Sequence, residues 1–175
     1  MIAKATKWRH FVFLSLIIAV ILIIIGGSLI KPESPEAINL KDEITTIINE
    51  QAGATSNINR KARVSDVVLS QDSSGWDVEI SLNADKKFTM ISTKQTMWQD
   101  SIHILAATSE INQLDDISLS WIYPVLNTKK DVEDKSVMSF TIDNATRDQL
   151  IWKNIEPSVL PDLVYDYEEH PVLSE

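Results

Sequence analysis

The chain has 175 residues, no cysteine and a formal charge of −9. That length suits one domain of roughly 100–150 residues with a small addition. The missing thiols exclude a disulfide scaffold, cysteine-ligated zinc or iron–sulfur, and thiol catalysis. The acidic balance argues against general nucleic-acid binding, which needs a basic surface to neutralise phosphates.

Residues 1–10 form a basic stub, with Lys4, Lys7, Arg9 and His10 and no acid. Residues 11–30, from Phe11 to Ile30, are a run interrupted only by Ser15, Gly26, Gly27 and Ser28. As a helix this run spans about 30 Å, the thickness of a bilayer's hydrocarbon core. A soluble helix keeps a polar face, and this one has none. The positive-inside rule places the N-terminus in the cytoplasm and the rest outside. We read the run as an uncleaved, single-pass signal anchor. The alternative is a cleaved signal peptide, with Gly26 and Ser28 as the small pair at its cleavage site, which would leave the domain secreted. No cysteine follows the run, so lipoprotein acylation is excluded. Residues 1–31 hold four of the 16 Lys and Arg and none of the 25 acids, so the remaining 144 residues carry −13. A domain that acidic is not expected to lie flat on anionic lipid.

Residues 31–34 are a short polar linker that also starts a helix: Ser34 as N-cap, Pro35 at the first position, Glu36 at the positive end of the dipole. Leu40, Ile44, Ile47 and Ile48 recur at helical spacing, and Gly53 is a stop, which predicts an amphipathic helix over Pro35–Ala52. Residues 54–61 read as a polar loop. Val64, Val67, Val68 and Leu69 give a strand, Gln71 to Gly75 a turn, and Trp76, Val78, Ile80 and Leu82 a second strand with one dry face. Ser92-Thr93-Lys94-Gln95 matches a capping box and predicts a helix over Thr93–Glu110. Ile117, Leu119, Trp121, Tyr123 and Val125 share one face of a third strand. Pro124 within it cannot donate to a ladder, which puts that strand near an edge or near its end there. Asn127–Lys135 reads as a charged, exposed loop, and Met138, Phe140 and Ile142 as a fourth strand. Asp143 or Asn144 caps a short helix containing Ala145, Leu150 and Ile151. Residues 155–175 read as an extended acidic arm broken by Pro157, Pro161 and Pro171.

The fold class is therefore α+β. The order α-β-β-α-β-β-α over residues 35–154 predicts a four-stranded antiparallel sheet with helices on one face. Helix plus hairpin occurs twice, but side-chain identities between the halves are too weak to indicate duplication. Trp76, Trp98 and Trp121 sit at core-facing positions; Trp152 is the one more open to a role in binding.

No catalytic constellation emerges. His10, His103 and His170 have no metal-ligand spacing, and the chain lacks G-x-S-x-G, S-x-x-K, P-loop, dinucleotide and H-E-x-x-H motifs. Asp100 and His103 stand one turn apart, the spacing of a surface pair. Asn144-Ala145-Thr146 is a glycosylation sequon that reads first as a helix cap. No cofactor or metal is expected.

The arm sets Leu163, Tyr165, Asp166, Tyr167, Glu168, Glu169 and His170 together, apolar anchors among acids. With Trp152 they are the candidate partner-binding residues; the bland reading is an arm packed over the domain with its acids wet. These features lead to the expectation of a non-enzymatic, membrane-anchored protein of a bacterial-type envelope. Its exported domain would be an interaction module, as an accessory subunit or an exclusion or immunity factor, with an envelope protein as partner. The alternatives are a cell-wall-acting enzyme using carboxylates of the domain, and a small-ligand sensor module working with a membrane partner, which requires a pocket of roughly 300 Å³ or more.

Overall fold

A computed structural model describes residues 33–174. The basic stub and the apolar run over 11–30 lie outside the described residues. Among the described residues no helix is long and apolar enough to cross a membrane. Glu36–Glu175 form one compact unit.

Helix α1 covers Pro35–Ala52 and buries Ala37, Leu40, Ile44 and Ile48, the stripe its sequence spacing dictates. Gly53 follows at φ +78°, a left-handed cap that a side chain would strain. Strands β1 (Val64–Gln71) and β2 (Trp76–Asn83) form an antiparallel hairpin, with a register shift between Val64 and Asp66. Helix α2 spans Met90–Thr108. It starts three residues before its expected position. The side chain of Thr89 accepts from the backbone of Ser92, and that of Ser92 accepts from the backbone of Thr89. Ser92 thus closes the capping box from its third position instead of opening one.

Strands β3 (Leu114–Leu126) and β4 (Val132–Ile142) make a second, longer hairpin. Residues 132–135, expected as loop, are paired strand, because β4 follows β3 to its end at Leu126 opposite Val132. Helix α3 is Asn144–Gln149, capped by Asp143, whose carboxylate accepts from the Thr146 N–H; Leu150 and Ile151 lie beyond it. The arm is not uniformly extended. Pro157, Pro161 and Pro171 each sit at the start of a short helical turn, the last of them ending at Ser174. Between the second and third of these, Tyr165–Glu169 is strand β5.

The sheet is therefore five-stranded and mixed, not four-stranded and antiparallel. Its order is β1-β2-β3-β4-β5. β2 and β3 are parallel, with Val78 opposite Ile117 and Leu82 opposite Trp121. The cause is α2: at 1.5 Å per residue its 19 residues return the chain to the end where β2 began, so β3 sets off in the same direction. β5 adds antiparallel to β4 and supplies the fifth strand from the arm. Pro124 fits its place, since β2 follows β3 only as far as Ile122.

One face of the sheet carries Trp76, Val78, Ile80, Leu82, Ile117, Leu119, Trp121 and Phe140, all buried. Met97, Ile104 and Leu105 of α2 join them, and the buried indole of Trp121 donates to Ser101 at 2.9 Å. Leu160 and Leu173 of the arm are both 0% exposed and belong to the same core. The opposite face is lined with small hydroxyls, Ser81, Ser118, Ser120, Ser139 and Thr141, and stays open.

Candidate functional site

A cleft of about 600 Å³ lies between α2 and the segment that follows α3. Gln99, Ile102, His103, Ala106 and Glu110 line it from α2. Their spacing places them on one stripe of that helix, beside the core-facing one. Trp152, Lys153, Ile155, Glu156 and Pro157 form the other wall. The floor is apolar and the rim bears both charge signs. Among the four tryptophans of the domain, Trp152 has a distinct environment. Trp121 and Trp98 donate to Ser101 and Tyr167, whereas the Trp152 indole N–H is buried without a partner. A buried donor left unpaired costs about 1–3 kcal/mol.

The other candidate residues are dispersed. Tyr167 and Glu169 point to the helix side: the Trp98 N–H donates to the Tyr167 oxygen at 3.0 Å, Tyr167 donates to Glu169, and Lys94 pairs with Glu169 at 2.9 Å. Burial, with the Glu169 charge adding to it, raises the Tyr167 phenol to about 12. Burial also works against the Glu169 carboxylate, but bonds from Lys94, Tyr167 and Ser174 hold it below its ordinary value. His170 donates its backbone N–H to Val137 and accepts from Val172 on Nδ1. Leu163 is half-buried.

Asp166 and Glu168 line a second, shallower trough of about 270 Å³ on the open sheet face, with Glu79 and the hydroxyl row. A bulge at Asp166, whose φ is +53°, turns this part of β5 outward. Tyr165 there donates to Asp116 at 2.6 Å; burial and the neighbouring carboxylates raise its phenol. The eight candidates thus fall in three places: Trp152 in the cleft, Tyr165, Asp166 and Glu168 on the open face, and the rest inside the β5–α2 contact or beside it.

Two arginines that sequence reasoning passed over are fully buried. Arg63 donates to the carbonyls of Gly53, Thr55 and Asn83 and pairs with Asp85 at 3.0 Å. Arg147 donates to the carbonyls of Leu114 and Asp115 and so pins α3 to the start of β3; burial lowers its guanidinium. Neither carries a sequence signal, because a lone arginine after a loop or inside a short helix reads as surface.

Asp100 is raised from 3.8 to about 6, first by burial and then by the like charge of Asp85, against the pull of Arg63, His103 and Lys87. Asp85 itself is lowered: burial opposes ionisation, but the Asn57 N–H and Arg63 outweigh it. His103 is exposed on the cleft side and Asp100 half-buried, and no hydrogen bond joins the two. Neither Asp85 nor Asp100 lines the cleft or the trough. Among the described residues no group of three or more His, Asp or Glu is placed to hold a metal ion. No family model, curated protein or solved structure matches the chain.

Proposed function

We propose that this protein is a single-pass, membrane-anchored interaction module of the cell envelope, non-enzymatic, holding a protein partner through its exported domain. The role is that of an accessory subunit or of an exclusion or immunity-type factor. The apolar run over 11–30 supports the anchor and its basic flank the orientation.

The observation that carries the reading is the α2–Trp152 cleft, lined by Ile102, Ala106, Trp152 and Ile155 with His103, Glu110, Lys153 and Glu156 around them. A partner segment seated there supplies apolar side chains to Ile102, Ala106 and Ile155. The test places a photocrosslinking amino acid at Gln99 in the full chain in its own membranes. A defined partner should crosslink there, and Ala106→Arg, which fills the cleft from α2, should abolish the product. Crosslinks only to lipid and to abundant bystanders, unchanged by Ala106→Arg, would overturn the reading.

The volume of the cleft favours a second reading, since about 600 Å³ lies within the usual range for small-ligand sites. A sensor module would bind a small molecule there. Ala106→Arg would then abolish a ligand-dependent rise in melting temperature and leave no protein crosslink to lose.

A further inference from the structure

The acidity of the domain is an average over two unlike parts. β1 begins, and β2 and β3 end, at one end of the sheet, so the segments 53–63, 84–89 and 127–135 gather there. They are tied together: Ser56 donates to the Ala84 carbonyl, Asn57 to Asp85, and Lys61 pairs with Asp134. These segments hold eight Lys and Arg against four acids, a charge of +4, which leaves −17 on the rest of residues 32–175. Arg60, Lys86, Lys87, Lys129 and Lys130 are exposed, and none of the salt bridges among the described residues uses them.

The same end carries four of the nine exposed large apolar side chains among the described residues; Ile151, 62% exposed, lies elsewhere. Phe88 is 103% exposed, Leu126 and Val132 67% each, and Ile91 55%. Phe88 follows directly on Lys86 and Lys87, and Leu126 and Val132 face each other across the hairpin that holds Lys129 and Lys130. These groups protrude from loops and a hairpin tip. Protruding apolar groups collared by lysines suit an anionic bilayer interface, where the tips enter the acyl boundary and the ammonium groups meet headgroups.

We infer that this end of the sheet is a second membrane contact, docking on anionic lipid through Phe88 with Lys86 and Lys87 and through the β3–β4 tip. The acidic remainder is then held away from the lipid.

Because the chain has no cysteine, a single introduced thiol takes one reporter. The full chain carrying an environment-sensitive fluorophore on Thr128→Cys is reconstituted into nanodiscs of phosphatidylcholine alone or mixed with phosphatidylglycerol, each with nitroxide lipid as quencher. Quenching is expected in the mixed discs, weak in phosphatidylcholine and lost at high salt. Lys86→Gln with Lys87→Gln should lower the docked-to-free ratio by about tenfold or more, and Phe88→Ser should also lower it. A reporter on Ser73→Cys, in the β1–β2 turn at the other end, should stay aqueous throughout. Emission from Thr128→Cys that is aqueous in both discs, or quenched equally in both, would overturn the inference; so would equal quenching at Ser73→Cys. Anchoring is read separately, from co-elution of chain and disc. If the chain does not incorporate, the anchor fails alone, and the same reporter is read after adding vesicles of the two compositions.

Discussion

The indole N–H of Trp98, in the middle of α2, donates to the phenol oxygen of Tyr167 in β5 at 3.0 Å, and the phenol donates onward to Glu169. This relay ties the C-terminal strand to the helix that crosses the sheet. Together with Leu160 and Leu173 it makes the arm part of the core.

A chain ending after Glu156 should therefore lose its cooperative fold. It loses two fully buried leucines, each worth about 2–5 kcal/mol even when only cut to alanine, against a typical total of about 5–15 kcal/mol. Circular dichroism melting should show a large drop in the transition or none at all. Tyr167→Phe removes the acceptor of Trp98 and the donor to Glu169, and should cost about 1–2 kcal/mol. A truncated domain that melts like the full one would separate the arm from the core.

The Lys94–Glu169 pair should stabilise the fold in a pH-dependent way. Its side chains are 18% and 21% exposed, so the pair is only partly screened, and Lys94→Met should cost about 1 kcal/mol near neutral pH. Glu169 is held below its ordinary value of 4.5. Its contribution is thus fully present above the unfolded value and is lost as pH falls through the lowered folded one. Urea unfolding of the protein and of Glu169→Gln should converge in acid and diverge above it.

Asp100 should act in the opposite sense. Its folded value is about 6 against an ordinary 3.8. Below the lower figure it is protonated in both states and carries no penalty. Between the two the penalty grows, and above about 6 it is complete. Asp100→Asn should raise stability at neutral pH by on the order of 1–2 kcal/mol, discounted for partial solvation, and should flatten the fall in stability through that window. Denaturant unfolding across the window measures both, and an unchanged slope would remove Asp100 as the cause.

Arg63 should be among the most sensitive positions. It satisfies three carbonyls and Asp85 at once while 1% exposed. Arg63→Met leaves those acceptors and the Asp85 charge without it, a loss of about 3–5 kcal/mol. Arg63→Lys should recover only part of this, because an ammonium lacks the planar fork that reaches several carbonyls together. Thermal melts of the two variants test the ranking.

Much of the local structure was legible. The bounds of α1 follow from Pro35 and Gly53, and the dry face of β2 from strict alternation, because these are decided within one turn or one strand. The start of α2 was legible only in part, since Thr89 and Ser92 offer two overlapping boxes and the side chains select one. β5 carried a partial signal: Tyr167 and Glu169 alternate with Asp166 and Glu168, while the bulge puts Tyr165 out of phase. Its acids and flanking prolines hid it. Trp152 stood out as a residue, but its cleft is built with α2, far away in sequence.

The sequence by itself determined α1, the β1–β2 hairpin, the apolar faces of β2 and β3 and the division of charge between a basic stub and an acidic remainder, since periodicity and composition are local. Only the tertiary structure decided that β2 and β3 run parallel, that the arm completes the sheet, and that two arginines are buried. It alone brought eight cations of an acidic domain to one end of the sheet. Strand direction and neighbourhood are set by long-range pairing, which fixes which loops meet, and no local pattern records it.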